Sequence, residues 1–456
     1  AGRAVVFAGV TVAISISALV VIGLEFITKL GFGAAITVVT SVIAAITLLP
    51  AILSLLGPRI DALRIPWLDR DDSFASRQRS PIARWGRFVT RHAAVVATAT
   101  IVLLGVLALP VLWVQLGASD AGTNPPDTTT RKAYDLLAEG FGAGFNGPLL
   151  VTVDQGGDTG AAERLRTQLE AVEGVAAVPP PISNESGDTA IVTVFPTTSP
   201  QSAATRDLVE ELRSDVIPGA LEGTQTVAYV GGPTAAFDDI AAQIQDRLPY
   251  FLLAVIGITF IILSMAFRSV VVAIKASITT LMSAFAAFGV LIAVFQFGWG
   301  NEFVGLDTTG PIETFLPPIV FAILFGLSMD YEVFLVSRMR EEYVHGAPAK
   351  QAVTDGIAAI GRVVVAAALI MTSVFLAFIL GDDRVIKEFG LALGVAILID
   401  AFIVRLALVP AIMYLLGERA WYMPRWLDRI LPRITIEAPS SDERPAADAP
   451  RDPVAP

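Results

Sequence analysis

Eight stretches of this chain are too long and too poor in charge to sit in water: residues 4–23, 28–56, 92–115, 249–267, 270–297, 312–337, 359–381 and 386–416. A helix needs about 20 apolar residues to cross the hydrocarbon core of a bilayer, and each run meets or approaches that length. The composition agrees: of 456 residues, 54 % are hydrophobic and 16 % charged, where a soluble protein carries about 25 % charged residues. The expected fold is therefore an α-helical polytopic membrane protein with about eight spans and one soluble insert, residues 116–248.

The connecting segments alternate sides. One side collects the arginines between Arg59 and Arg91, then Arg268, Lys275, Arg338, Arg340, Lys350, Arg362, Arg419, Arg425 and Arg429. The other side holds "GWGNEFVGLDTTG", with no Lys or Arg, and the insert, where acids outnumber bases. Because basic loops are retained in the cytosol, the insert is expected to be extracytoplasmic and the carboxyl terminus cytosolic. The tail "EAPSSDERPAADAPRDPVAP" has too little apolar surface to fold and is expected to be disordered. In "AWYMPRWLDR", Trp421, Tyr422 and Trp426 stand beside arginines, as interfacial anchors do.

Within the insert, "LLVTV", "GVAAVPP", "TAIVTVFP" and "TVAYVGG" read as strands, and "TGAAERLRTQLEAV" and "QSAATRDLVEELRSDVI" as helices with apolar residues at helical spacing. The order β-α-β-β-α-β is the ferredoxin-like split motif. An amphipathic stretch, 234–247, leads into the next span.

The chain also repeats itself. Gly2-Arg3 matches Gly361-Arg362, "ITKLG" (27–31) matches "IKEFG" (386–390), and "LPAILSLLG" (49–57) matches "VPAIMYLLG" (409–417), all at an offset of 359 or 360. Repeats of this size are frequent in transporters. In the second copy the Gly-Arg helix follows an acidic span around Asp330. A corresponding acidic span is expected upstream of the first copy, in a complete protein of roughly twelve spans.

Four stretches, "GLSMDYEVFLVSRMREEY", "FGAGFNGPLLVTVD", "AYVGGPTAAFDDI" and "LIDAFIVRLALVPAIM", resemble the MMPL (mycobacterial membrane protein large) family of the RND transporter superfamily. The resemblance implies an RND-like bundle in which the eight spans are the family's fifth to twelfth, and an α+β ferredoxin-like extracytoplasmic porter domain. The expected division is 1–57, two spans; 58–91, a cytosolic loop; 92–115, one span; 116–248, the porter domain; 249–417, a five-helix bundle; and 418–456, a cytosolic and mostly disordered tail. The resemblance also implies export of lipids or other hydrophobic molecules across a bacterial plasma membrane, driven by protons. Asp330 and Tyr331 fall on the family's Asp-Tyr pair, and an amino-terminal half with a second such pair is the expected partner.

The chemistry of the residues points the same way. A carboxylate inside a membrane costs about 2.5–3.5 kcal/mol on insertion scales, so its presence asks for a buried partner, a water path or a function. Asp330 is the expected proton-loading acid and Tyr331 its hydrogen-bond partner. Gly326, one turn earlier, allows close helix approach, and Ser337 could extend a polar track at i+7. Glu332 lies about 200° around the helix from Asp330, so it reaches another span as a second relay or a structural contact. In the last span, Asp400 and Arg405 repeat the oddity, as a secondary relay or a buried ion pair that locks helix packing, and Arg405 reaches the depth of Asp330, where those two could pair.

Other chemistries lack a signature. The chain has no cysteine, and its two histidines, His92 and His345, are far apart in sequence, so neither a metal site nor a disulfide is expected. There is no Walker A pattern, and "GAGFNG" (142–147) precedes a strand rather than opening a helix. No cofactor, nucleic-acid partner or enzymatic activity is expected. Two alternatives to export use the same residues: a lipid-sensing membrane protein without transport, and a proton-driven accessory factor for protein translocation.

Overall fold

The computed structural model describes residues 2–57, 59 and 80–431, without the side chains of Arg3, Ala4 and Asp330. Among the described residues, eight helical segments are long and apolar enough to cross a membrane. Helix α1 (Gly2–Ser17) tightens into a turn closed by Gly23 at φ 78°, a left-handed conformation that glycine adopts without a Cβ penalty. Helix α2 (Glu25–Leu56) runs back against it. Helix α3 (Pro81–Arg91) occupies the end of the expected 58–91 loop; Ser80 caps it by accepting from Ala83 N, and Pro81 fits the first turn, where no N–H is needed. Helix α4 (Ala93–Ala108) follows after a break at His92. The tail beyond Leu431, expected to be disordered, lies outside the described residues.

The insert opens with the short strand β1 (Leu116–Gly117) and helix α5 (Thr129–Phe141), two elements beyond those expected from the sequence. Then come β2 (Leu149–Asp154), α6 (Ala161–Leu169), β3 (Val175–Ala177), β4 (Ile182–Ser183), β5 (Thr189–Pro196), α7 (Ala203–Glu211) and β6 (Val227–Gly231). The sheet runs β3-β5-β2-β6, all neighbours antiparallel, with β4 also paired to β5. That is the ferredoxin-like order. Val151 and Val153 on β2 and Val192 and Val194 on β5 alternate onto one buried face, which α6 and α7 cover with Leu165, Leu169 and Leu208. The glycine run at 142–147 is a packing feature: a Cβ on Gly144 would lie 1.9 Å from the carbonyl oxygen of Pro196.

Helix α8 (Pro233–Phe267) passes without interruption from the insert into the membrane, so the amphipathic stretch and the following span are one rod, about 50 Å long. A two-residue turn, Arg268–Ser269, leads to α9 (Val270–Phe295), capped by Ser269 Oγ accepting from Val272 N at 3.1 Å. The next span starts later than expected. Residues Ile312–Glu313 form a strand, β7, paired in parallel with β1, and helix α10 (Leu316–Val344) begins only at the Pro317-Pro318 step, which suits a first helical turn. Helix α11 (Ala349–Leu376) follows. The last span is composite: α12 (Arg384–Leu398), a π-helical segment (Ile399–Leu408) and α13 (Val409–Leu416). A short helix, α14 (Arg425–Ile430), ends the described chain.

Helix α10 is the axis of the membrane core, packed by α1, α8, α9, α11 and α12. Small residues set the distances. A Cβ on Gly326 would come within 3.0 Å of Val12 Cα on α1, as its expected role in close approach requires. A Cβ on Gly289 would lie 1.8 Å from Leu107 O, so α9 and α4 meet backbone to backbone. The repeat maps α1 onto the second part of α11, and α2 onto α12 to α13. Both copies are helical pairs, and both α1 and α11 pack on α10.

Candidate functional site

The charges buried deepest in the bundle converge on Glu332. Its carboxylate meets two cations from different spans, the Lys275 ammonium from α9 and the Arg405 guanidinium from the π-helical segment. Arg405 also bonds Asp400 Oδ2 through Nε at 3.1 Å and donates through Nη2 to the Ser328 carbonyl at 2.6 Å. Ser328 Oγ in turn lies 3.4 Å from Thr280 Oγ1 of α9. Arg405 is wholly buried, and Lys275, Glu332 and Asp400 are at most 6 % exposed. The π-helical winding brings Asp400 and Arg405 together. Five residues apart, they would point about 140° away from each other on an α-helix; i→i+5 winding stacks them on one face. Two acids and two bases thus neutralise each other across α9, α10 and the last span.

Tyr331, one residue earlier and about 100° around the helix, faces α11 instead. Its hydroxyl donates to Met371 Sδ at 2.9 Å on α11. It lines an apolar cavity of about 410 Å³ between α10 and α11, with Leu327, Phe334, Ile360, Val363 and Met371. The side chain of Asp330, also on α10, is outside the described residues, so the expected Asp330–Tyr331 and Asp330–Arg405 contacts are too. The described partners of Arg405 are Glu332, Asp400 and Ser328. Ser337 is half-buried and forms no hydrogen bond among the described residues. Lys275 is the site residue that the charge pattern alone does not single out: its position groups it with the basic rim, yet it is buried inside α9. The signal was there, a lone lysine inside the otherwise uncharged "VVVAIKASITT".

A profile of the MMPL family matches residues 1–110 and 123–435. The chain belongs to the MMPL family. Three curated relatives of this MMPL chain are membrane protein YdfJ of Bacillus subtilis, 40 % identical over 96 % of this chain and 59 % of the relative; the mycolic acid-containing lipids exporter MmpL11 of Mycolicibacterium smegmatis, 34 % identical over 96 % and 46 %; and the trehalose monomycolate exporter MmpL3 of the same organism, 29 % identical over 97 % and 47 %. The chain thus spans about half the length of the curated relatives that it matches.

The MMPL chain has a second buried charge cluster, at the end of the bundle that faces the ferredoxin-like domain. Arg384 Nε bonds Glu388 Oε1 at 3.1 Å, one turn apart on α12. The Arg384 guanidinium also donates to the carbonyls of Thr308 at 3.0 Å, Gly310 at 3.1 Å and Phe295 at 3.2 Å. Glu388 Oε2 accepts from the backbone N of Glu313 at 3.0 Å, and Glu313 Oε2 accepts from Ser119 N at 3.0 Å. Lys387 Nζ ties the loop before β7 through the carbonyls of Val304 and Gly305, at 2.9 and 2.7 Å. From β1 the chain of bonds continues to the porter-type domain, where Arg206 Nη1 donates to Leu116 O at 3.0 Å. Burial pushes the Glu313 carboxyl above the usual glutamate value, against the opposing pull of the Ser119 bonds and of Arg384. No pattern rule singled out these residues, since "DDRVIKE" reads as the polar start of a span. The repeat adds a contrast: Glu25–Lys29, at the positions equivalent to Arg384–Glu388, is an exposed pair of reversed polarity.

Proposed function

We propose that this chain is the carboxyl-terminal part of a secondary exporter that moves lipids or other hydrophobic molecules out across a bacterial plasma membrane, driven by proton entry. The observation that carries the reading is the buried cluster of Lys275, Glu332, Asp400 and Arg405, built around the helix that bears Asp330 and Tyr331. The four described members balance to zero charge. Asp330, two residues from Glu332 on the same helix, adds one negative charge when ionised, and protonation returns this stretch of the membrane to neutrality. A carboxylate at that depth is expensive and is retained for a function. Each proton that crosses releases about 2.3 kcal/mol per 100 mV of membrane potential.

Asp330 is the proton-loading acid in this scheme, and Tyr331 its partner. Glu332, Asp400 and Arg405 hold α9, α10 and the last span in the arrangement that the proton state biases. The arginine-rich rim lies in the cytosol, with the carboxyl terminus, and the ferredoxin-like domain lies outside. An upstream half with its own Asp-Tyr pair completes the relay. The names of two relatives, exporters of mycolic acid-containing lipids and of trehalose monomycolate, favour a lipid as cargo.

The test is Asp330→Asn in the natural protein that contains this chain, reconstituted in vesicles under an imposed pH gradient. Loss of substrate-dependent proton flux, with expression and thermal stability retained, is the expected result. Undiminished flux would remove Asp330 from the mechanism.

A further inference from the structure

Helix α3 is unlike the spans around it. It is 11 residues long and strongly two-faced, and it ends at the turn from which the transmembrane helix α4 departs. Ala83, Gly86, Val89 and Thr90 are buried against α11 and the last span. Two exposed rings, Trp85 and Phe88, stack at 5.6 Å on the adjoining face. Arg84, Arg87 and Arg91, spaced three and four residues apart, form an exposed basic stripe beside them. Aromatic rings next to a basic stripe, on a short helix at a membrane edge, are the pattern of a helix lying in the headgroup layer.

The neighbourhood completes a headgroup-sized recess. A cavity of about 250 Å³ opens between α3 and the start of α11, lined by Arg87, Thr90, Lys350, Thr354, Asp355 and Tyr414. The Lys350 ammonium stands over the Tyr414 ring at 5.2 Å. The carboxylate of Asp355 is covered by Gln351 Nε2, at 3.1 and 3.0 Å from its two oxygens. Among the described residues, no carboxylate pairs with Arg84, Arg91 or Lys350. The indole Nε1 of Trp85 donates to Leu406 O at 2.8 Å, so α3 is fastened to the last span at the residue after Arg405.

We infer that α3 and the recess at the start of α11 bind the headgroup of an anionic phospholipid, with Lys350 lining the recess, Arg84 and Arg91 supplying positive charge along the exposed stripe of α3 beside it, and Trp85 and Phe88 among the acyl chains. Charge complementarity and depth select this occupant. The basic stripe and the apolar rings border one another, and only a molecule with an anionic head and fatty tails satisfies both. The lipid would rest against the segment that bears Asp400 and Arg405. The inference needs neither the direction of transport nor the sidedness of the chain, because vesicles carry anionic lipid in both leaflets.

The experiment uses the full chain in vesicles of phosphatidylcholine mixed with phosphatidylglycerol, with either lipid brominated in its acyl chains as a contact quencher. The Trp85 signal is the difference between wild type and Trp85→Phe. Brominated phosphatidylglycerol is expected to quench Trp85 at a lower fraction of total lipid than brominated phosphatidylcholine. In the Arg84→Gln/Arg91→Gln variant the preference should fall by roughly fivefold per charge removed; Lys350→Gln should lower it further, and Arg84→Lys/Arg91→Lys should keep it. Lys132→Gln, on α5 of the insert, should leave it unchanged. Equal quenching by the two lipids in wild type would overturn the inference, as would a preference that survives loss of the three charges. Competition by inorganic phosphate or by the deacylated headgroup would assign the recess to a soluble anion instead of a lipid.

Discussion

At the scale of single residues, Glu332 decides how the membrane core is held. A buried ion pair gains little over an apolar replacement of similar volume, yet breaking one by removing a single partner costs about 3–5 kcal/mol, because the remaining charge is stranded. Lys275→Met should therefore destabilise the protein by about that amount, and Glu332→Gln should behave similarly because it strands Lys275 and leaves Arg405 with Asp400 as its remaining carboxylate. The double variant should recover part of the loss, read as a coupling energy from thermal unfolding in detergent; strict additivity would show that Lys275 and Glu332 do not act as a pair. Glu313 gives a pH signature of the opposite kind. Its carboxyl is raised by burial, so the folded state holds the proton more tightly than the unfolded chain does. That contribution to stability is present below the usual value of 4.5 and is lost as pH rises through the folded pKa. Glu313→Gln should flatten the decline in stability over that window, measured by unfolding midpoints across pH; an unchanged slope would refute the assignment.

At the scale of elements, the spans contact through glycines and converge through charges. Gly289→Ala should separate α9 from α4, because the new Cβ would fall on Leu107 O; overpacking of this kind costs about 1–3 kcal/mol. Gly257→Ala, in open space on α8, is the matched control and should be near neutral. Equal behaviour of the two variants would contradict the close packing of α9 on α4. Uncharged length made the spans legible, and alternation and helical spacing made the split β-α-β-β-α-β motif legible, because those patterns are local. Partner identity was not local. Glu332 could be assigned to another span from its angle on α10, but nothing in the chain near it names Lys275, 57 residues away. The ion pair of Asp400 with Arg405 is among the expected readings, but its geometry rests on π-helical winding, since α-helical counting puts the two about 140° apart. The strand Ile312–Glu313 falls within the expected sixth span because a two-residue bridge leaves no periodicity, so neither it nor Glu313 is legible in the sequence.

At the scale of the whole molecule, two buried clusters sit at different depths and share the last span. One joins α9, α10 and the π-helical segment; the other joins α12 to β7, β1 and the ferredoxin-like domain. A change of charge at the first would act on a rod whose other end is bonded, through Glu388 and Glu313, to the insert. Glu388→Gln should therefore lower transport more than it lowers proton binding at the inner cluster, a split that paired flux and titration measurements would resolve; equal losses would contradict a coupling role. The central claim is that an acid in this core gains and loses a proton during turnover. Difference infrared spectroscopy on the reconstituted natural protein tests it directly, by following the carbonyl stretch of a protonated carboxyl group. The account predicts a band that changes when substrate is added under a pH gradient and vanishes in Asp330→Asn. A protein that turns over with no such band, or whose band survives in Asp330→Asn, would contradict it.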